Sequence, residues 1–129
     1  MNTPVSFAPM LYIPGGIKEL DFYTTAFDAE LLRKWTNDDG SIHAAELSIQ
    51  GTLFFVHEEN NGKMLKSPGR HAGTTVNIGL FVPDVDAALT KALAAGARLI
   101  AEAQDYDYGY RQAEIADPFG HIWTIQKRI

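Results

Sequence analysis

Cysteine is absent from this 129-residue sequence. That excludes a disulfide framework, a thiolate nucleophile and any cysteine-ligated metal. Positive charge is scarce: 11 lysines and arginines stand against 16 aspartates and glutamates, for a formal net charge of −5. Lys63, Lys66 and Arg70, and then Lys127 and Arg128, are too sparse to form a phosphate-tracking stripe. Nucleic acid and anionic membrane are therefore not expected partners. No apolar run approaches the ~20 residues that span a bilayer. The opening MNTPVSF has neither the charged nor the apolar segment of a secretory signal, so a cytoplasmic location is the default expectation. No P-loop, dinucleotide fingerprint or Ser-His-Asp order occurs.

What is present is an ordinary globular composition, 46% hydrophobic, in a chain of single-domain length. Such a chain buries about two-thirds of its unfolded surface. The most informative stretch, YRQAEIADPFGHIWTIQ, runs from Tyr110 to Gln126 and reads as a β-hairpin. Asp117-Pro118-Phe119-Gly120 is a type I turn signal, with a side-chain acceptor first, a preset φ second and a glycine fourth. Beyond it Trp123 and Ile125 alternate against Ile122, Thr124 and Gln126, so one face is packed and the other meets a second environment.

Taken in order, Ser6–Ile13 reads as a strand interrupted by Pro9, and Ile17–Phe27 as an amphipathic helix with Asp28 at its left-handed C-terminal position. Glu30–Trp35, Ser41–Ile49 and Thr52–His57 read as strands separated by Asn37–Gly40 and Gln50-Gly51. Glu59–Thr74 is a polar linker. The same order then begins again, with strand Thr75–Val82, helix Asp84–Ala95 capped by Asp84, strand Ala97–Ala101, loop Glu102–Gly109 and the closing hairpin. MLYIPGGIKELDFYTTAFDAELL matches IGLFVPDVDAALTKALAAGARLI in pattern, and AAELSIQGTLFFVHE matches QAEIADPFGHIWTIQK. The expected fold is α+β: two tandem βαβββ modules, about 5–58 and 75–128, joined by the linker 59–74 within one domain.

Phe22 to Phe27 (FYTTAF), His43 to Leu47 (HAAEL), Tyr108 to Arg111 (YGYR) and Asp117 to Trp123 (DPFGHIW) together resemble the vicinal-oxygen-chelate superfamily. That group contains glyoxalase I, bleomycin-resistance proteins, fosfomycin-resistance enzymes and extradiol dioxygenases. The likeness is strongest to its PhnB-like branch, with Tyr108 in place of the usual Trp and Asp28 in place of the usual Gly. The resemblance implies a curved mixed sheet with helices on its convex side and the active site in the concavity. It also implies metal ligands on the first and last strands of each module. Carried over by position, those places hold Ala8, Phe55, Asn77 and Thr124, which are poor donors for zinc, nickel or iron(II). The resemblance therefore implies neither a metal nor another cofactor here. A homodimer is expected, since each module has only four short strands and a curved sheet leaves edges to cover, and the resemblance implies that modules pair across two chains.

By alternation the concave residues are Met10 and Tyr12, then Phe55 and His57, then Asn77, Gly79 and Phe81, and finally Thr124 and Gln126. Tyr12, Phe55, His57, Asn77, Phe81, Arg111, Thr124 and Gln126 are the expected ligand-binding residues. Gly79 is expected to leave room on the cavity floor. Arg111 either clamps an anionic group or pairs with Asp117 or Asp105. Tyr106, Tyr108 and Tyr110 line a cavity mouth or form an interface. His57, Glu46 and Glu114 are the catalytic candidates, as base or as carboxylate pair, against the plain reading of solvated strand positions. His43 and His121 read as structural, and Trp123 as core. Three functions fit. The first is a metal-free binder of a small organic ligand in an apolar concavity. The second is a lyase, isomerase or dioxygenase-type enzyme, with either a relocated metal at His57 and Glu46 or Glu114, or metal-free acid–base catalysis. The third is a regulatory or interaction module.

Overall fold

The structure is a computed structural model describing residues 4–60 and 65–129. Lys63 and part of the expected linker therefore lie outside the described residues. The elements are β1 (Met10–Ile13), α1 (Asp21–Phe27), β2 (Glu30–Thr36), β3 (Ile42–Ile49) and β4 (Thr52–Glu58). After the linker come α2 (Pro68–His71), β5 (Asn77–Phe81), α3 (Val85–Ala94), β6 (Arg98–Tyr106), β7 (Tyr110–Ala116) and β8 (Ile122–Arg128). Two four-stranded sheets result, ordered β1-β4-β3-β2 and β5-β8-β7-β6. In each, the first strand lies parallel to the last and the remaining contacts are antiparallel. This is the βαβββ unit used twice.

Several boundaries differ from the sequence reading, each for a local reason. The first strand starts at Met10 rather than Ser6, because Pro9 has no N–H and its carbonyl closes the ladder by accepting from Phe55 N at 2.9 Å. The first helix starts at Asp21 rather than Ile17: the Ile17 carbonyl accepts from Ile42 N at 2.7 Å and is not free to start a helix. The stretch Glu102–Tyr106, expected as loop, continues β6, and only a tight turn at Asp107–Gly109 remains. The linker carries the short helix α2. Helix α3 follows expectation closely, with Asp84 accepting from Ala87 N at 3.0 Å. Asp28 does take the left-handed conformation at φ 55°.

Both sheets turn their helix-bearing faces into one core. Tyr23 and Phe27 of α1 pack on Trp123 of β8, with ring centroids 6.0 and 4.8 Å away, and Phe54 of β4 joins them. Val85 and Ala92 of α3 complete the contact. Trp123 therefore faces the helices, as the alternation requires, and burying such a ring contributes roughly 2–3 kcal/mol from its apolar area.

At the centre of this core Asp117 is only 4% exposed. Its Oδ2 accepts from the Tyr23 hydroxyl at 2.6 Å and from Trp123 Nε1 at 3.0 Å. Its Oδ1 accepts from Phe119 N at 2.9 Å and His121 N at 3.1 Å. Burial first, and then the neighbouring Asp117 charge, push the Tyr23 phenol well above its ordinary value near 10.

Two outcomes follow. Asp117→Ala orphans four donors, so it should lower the denaturant-derived unfolding free energy by about 3 kcal/mol or more. Tyr23 acts in the alkaline range. Above pH 10 the unfolded phenol ionises while the folded one stays neutral, so stability is intact below pH 10 and falls as pH rises beyond it. A Tyr23→Phe variant should lose less stability between pH 10 and 11.5 than the parent; equal slopes in denaturant titrations would contradict this.

Candidate functional site

The faces opposite the helices are the open faces, and register decides what stands on them. On the first sheet Met10, Phe55 and Glu46 form one row across β1, β4 and β3, and Tyr12, His57 and Ala44 form the next. On the second sheet the rows are Gly79, Thr124 and Glu114, and Phe81, Gln126 and Gln112. Asn77 lies one row earlier on β5. Glu46 and Glu114 therefore occupy equivalent places in the two modules.

One chain does not gather these rows into a single concavity. Because both helix-bearing faces share one core, the open faces point away from it into solvent. Met10 is 59% exposed and Phe81 50%. Phe55 and Phe81 line neither of two recesses that the surface does contain. A recess of about 150 Å³ lies on the second sheet and is lined by Asn77, Ala101, Tyr106, Gln112, Ala113, Glu114 and Thr124. A larger recess, about 710 Å³, runs between β1 and the linker and includes Met10, Tyr12, Val76 and His121. We place the chemistry on the smaller one, because it joins a carboxylate, an amide, a hydroxyl and a phenol, whereas the larger has mostly apolar walls.

Within the smaller recess Thr124 Oγ1 donates to Asn77 Oδ1 at 2.9 Å, and Tyr106 accepts from Gln104 Nε2 at 2.9 Å. Gln112 is engaged at both ends: its Nε2 donates to Gln126 Oε1 at 2.7 Å, and its Oε1 accepts from the Tyr108 hydroxyl. The tyrosines form a ladder beside it. Tyr106 and Tyr108 stack with centroids 5.3 Å apart, Tyr110 follows, and Phe81 lies 6.3 Å from Tyr110. Arg128 lays its guanidinium over Phe81 at 4.5 Å.

On the first sheet Tyr12 packs on His57 at 5.4 Å and His43 meets His57 at 4.7 Å. His57 Nδ1 lies 2.6 Å from the Glu58 carbonyl, an acceptor only, so Nδ1 is the donor and Nε2 is the nitrogen turned to other partners. His43 Nδ1 is 3.2 Å from Glu58 Oε1, and Asn37 donates to Oε2 at 2.8 Å. The His43 hydrogen bond, seconded by Asn37, holds the Glu58 carboxyl below its usual range.

Two sequence expectations are corrected here. Arg111 does not reach the open face. It alternates with Gln112 and Tyr110 toward α3, where Nε and an NH2 grip both oxygens of Asp86 at 3.0 and 2.9 Å and Asp105 is 2.9 Å away. The Asp105 partner was foreseen; Asp86 was not, since it comes from the helix. Gly79 does not leave an empty floor either. A Cβ there would stand 2.7 Å from Gln126 Nε2, so the Gln126 side chain already fills that space. Sequence reasoning also missed Gln112, Arg128, and the contact of His43 with His57. Gln112 lies two places before Glu114 on β7, so alternation alone could have supplied it.

The profile of the Glyoxalase/Bleomycin resistance protein/Dioxygenase superfamily matches residues 11–125, and the chain belongs to that superfamily. An uncharacterized protein of Mycobacterium bovis is 35% identical over 129 residues, covering 97% of this chain and 84% of that one. Among solved structures the fold is similar to the fosfomycin resistance protein FosX from Listeria monocytogenes. There the TM-score is 0.68 and identity 16%, over 98% of this chain and 93% of that one. It is also similar to TnmS3, an antibiotic binding protein from Streptomyces sp. CB03234, with a TM-score of 0.65 and 17% identity over 99% of this chain and 100% of that one.

The metal positions carried over from the superfamily do not fit a transition metal. Ala8 precedes β1 and, like Phe55, offers no donor, while Asn77 and Thr124 spend an acceptor and a donor on each other. Among the described residues no group of three or more His, Asp or Glu side chains is placed to hold an ion.

Gly79→Ala tests the floor directly. The added methyl meets only the tip of a flexible side chain, so stability should change by less than about 1 kcal/mol. The side-chain amide resonances of Gln112 and Gln126 should both move, because their mutual hydrogen bond is displaced. Unchanged resonances would place Gln126 elsewhere.

Proposed function

We propose that the chain binds a small organic ligand on the open sheet faces, without a metal centre, in a homodimer whose second copy covers what one chain leaves exposed. The carrying observation is the open face itself. It sets Phe81, Tyr110 and Tyr106 beside a few hydrogen-bonding groups at places where the superfamily's metal donors would stand. Aromatic walls with sparse polar groups are the usual composition of a small-molecule site. Tyr12, Phe55 and His57 supply a second such wall. TnmS3, similar in fold, is an antibiotic binding protein, which is compatible with sequestration rather than turnover. Assignment to the PhnB-like branch and a cytoplasmic location belong to this reading. Among the described residues no helix is long and apolar enough to cross a membrane.

Assembly follows from the same faces. Met10, Leu53 and Trp35 on the first sheet and Phe81 on the second are 40–59% exposed. A two-fold contact that set the first sheet of one copy against the second sheet of the other would close the two walls into one cavity. It should bury more than about 1,000 Å². A second reading, metal-free acid–base catalysis, draws on one specific feature: the His57 tautomer leaves Nε2 free as a base beside Tyr12.

Sedimentation at micromolar concentration should show twice the chain mass, and a purely monomeric species would refute the assembly. A thermal-shift screen of aromatic small molecules should yield ligands whose affinity is unchanged after exhaustive dialysis against a chelator. Loss of binding on chelation would overturn the metal-free reading. Product formation that disappears in His57→Gln would favour the enzymatic one.

A further inference from the structure

We propose that Glu114 is the cation-receiving group of the module-two recess, and that the ligand carries a protonated amine which enters there. The inference rests on the ligand-binding reading above and specifies the ligand's chemistry. Glu114 lines the recess of about 150 Å³, and its carboxylate makes no hydrogen bond or ion pair with any described residue. The neighbouring polar groups are neutral and partly committed to one another, so Glu114 is the one charged group in the lining. Thr124 gives its proton to Asn77, so its oxygen lone pairs remain. Gln112 uses both ends of its amide on Tyr108 and Gln126. The Tyr106 phenol oxygen and ring face add further electron-rich surface at the wall. Spare donors remain on the Asn77 and Gln112 amides and on the Tyr106 hydroxyl, and all of these are neutral groups.

A recess lined by a free carboxylate, a hydroxyl oxygen and an aromatic ring suits an ammonium group and disfavours a carboxylate or phosphate, which would meet the Glu114 charge. The volume fits a head group rather than a whole ligand, so the ligand's body would lie along Tyr110 and Phe81. Among the described residues no cation pairs with Glu114. Arg128, on the same face, stacks on Phe81 and Tyr110 and makes no ion pair with Glu114. Arg111 is turned to Asp86 and Asp105 on the other face. A charge-assisted hydrogen bond from ammonium to carboxylate is about twice as strong as a neutral one, enough to select an amine over an alcohol of the same shape.

The test is a matched panel followed by amide and side-chain NMR shifts on the full chain. Benzylamine and tryptamine are compared with benzyl alcohol and tryptophol, with phenylacetate and indole-3-acetate, and with calcium chloride. The amines should shift Asn77, Glu114 and Thr124 and bind about tenfold or more tighter than the alcohols. Glu114→Gln, which keeps the shape, should abolish that preference, and Glu19→Gln, a charge change on an exposed loop, should keep it. The proposal is overturned if the amines shift none of these residues, if the preference survives in Glu114→Gln, or if calcium produces the shifts and the amines do not. Alcohols and amines binding equally at this face would also overturn it while leaving the ligand-binding reading intact. That reading fails separately, if the wider aromatic screen yields no ligand.

Discussion

The fold depends on one buried carboxylate. Asp117 opens the turn between the last two strands, and its two oxygens accept four hydrogen bonds there. Two of these are local and shape the turn. The other two are not: Trp123 belongs to the closing strand, and Tyr23 comes from the helix of the other module, 94 residues away in sequence. A carboxylate this deep is tolerated only because every lone-pair direction in use is matched by a donor. The same interaction thus sets the hairpin, seats Trp123 toward the helices and ties the two repeats together. His121, beside it, adds a second tie by meeting the Tyr12 carbonyl at 2.7 Å on the first strand.

That seating fixes the register, and the register decides which residues are available for function. With Trp123 and Ile125 turned inward, Thr124 and Gln126 must turn outward. This much was legible in DPFGHIWTIQ, because the turn chemistry and the period of two agree there. The open-face rows at Met10, Tyr12, Phe55, His57, Asn77, Phe81 and Thr124 follow from that alternation, and the strand pairings carry them.

What was not legible depends on contacts outside the local pattern. The second half of β6, Glu102–Tyr106, was hidden because the strand lies at an edge and has two register irregularities, so its side chains do not keep a clean alternation. The early start assigned to α1 was reasonable from Ile17 and Leu20, but a carbonyl captured by β3 cannot also serve a helix. Arg111 was placed among the ligand residues for its planar fork, with pairing to Asp117 or Asp105 as the equal alternative, and the Asp105 pair is the one that forms. Its neighbours Tyr110 and Gln112 face the open side, so Arg111 cannot. Gly79 was read as vacant space; the filling of that space by Gln126 depends on a side-chain rotamer that no sequence pattern specifies.

The same one-core arrangement keeps the two open faces of a single chain apart. Two βαβββ units could close one concavity between them only if their open faces met. Here the helix-bearing faces meet instead, held by Trp123 against Phe27, Tyr23 and Phe54. Opening that contact to bring the other faces together would expose the Trp123, Phe27 and Phe54 rings and strip the Asp117 carboxylate of its Tyr23 donor. This is the physical ground for proposing a second chain, and not a rearrangement of the first, as the route to a closed cavity. The two walls such a pairing would join are also chemically unlike. One offers a histidine with a free nitrogen beside a tyrosine, the other a free carboxylate beside a tyrosine ladder. A ligand held between them would meet an aromatic surface on both sides and a different polar group at each end, which fixes its direction as well as its place.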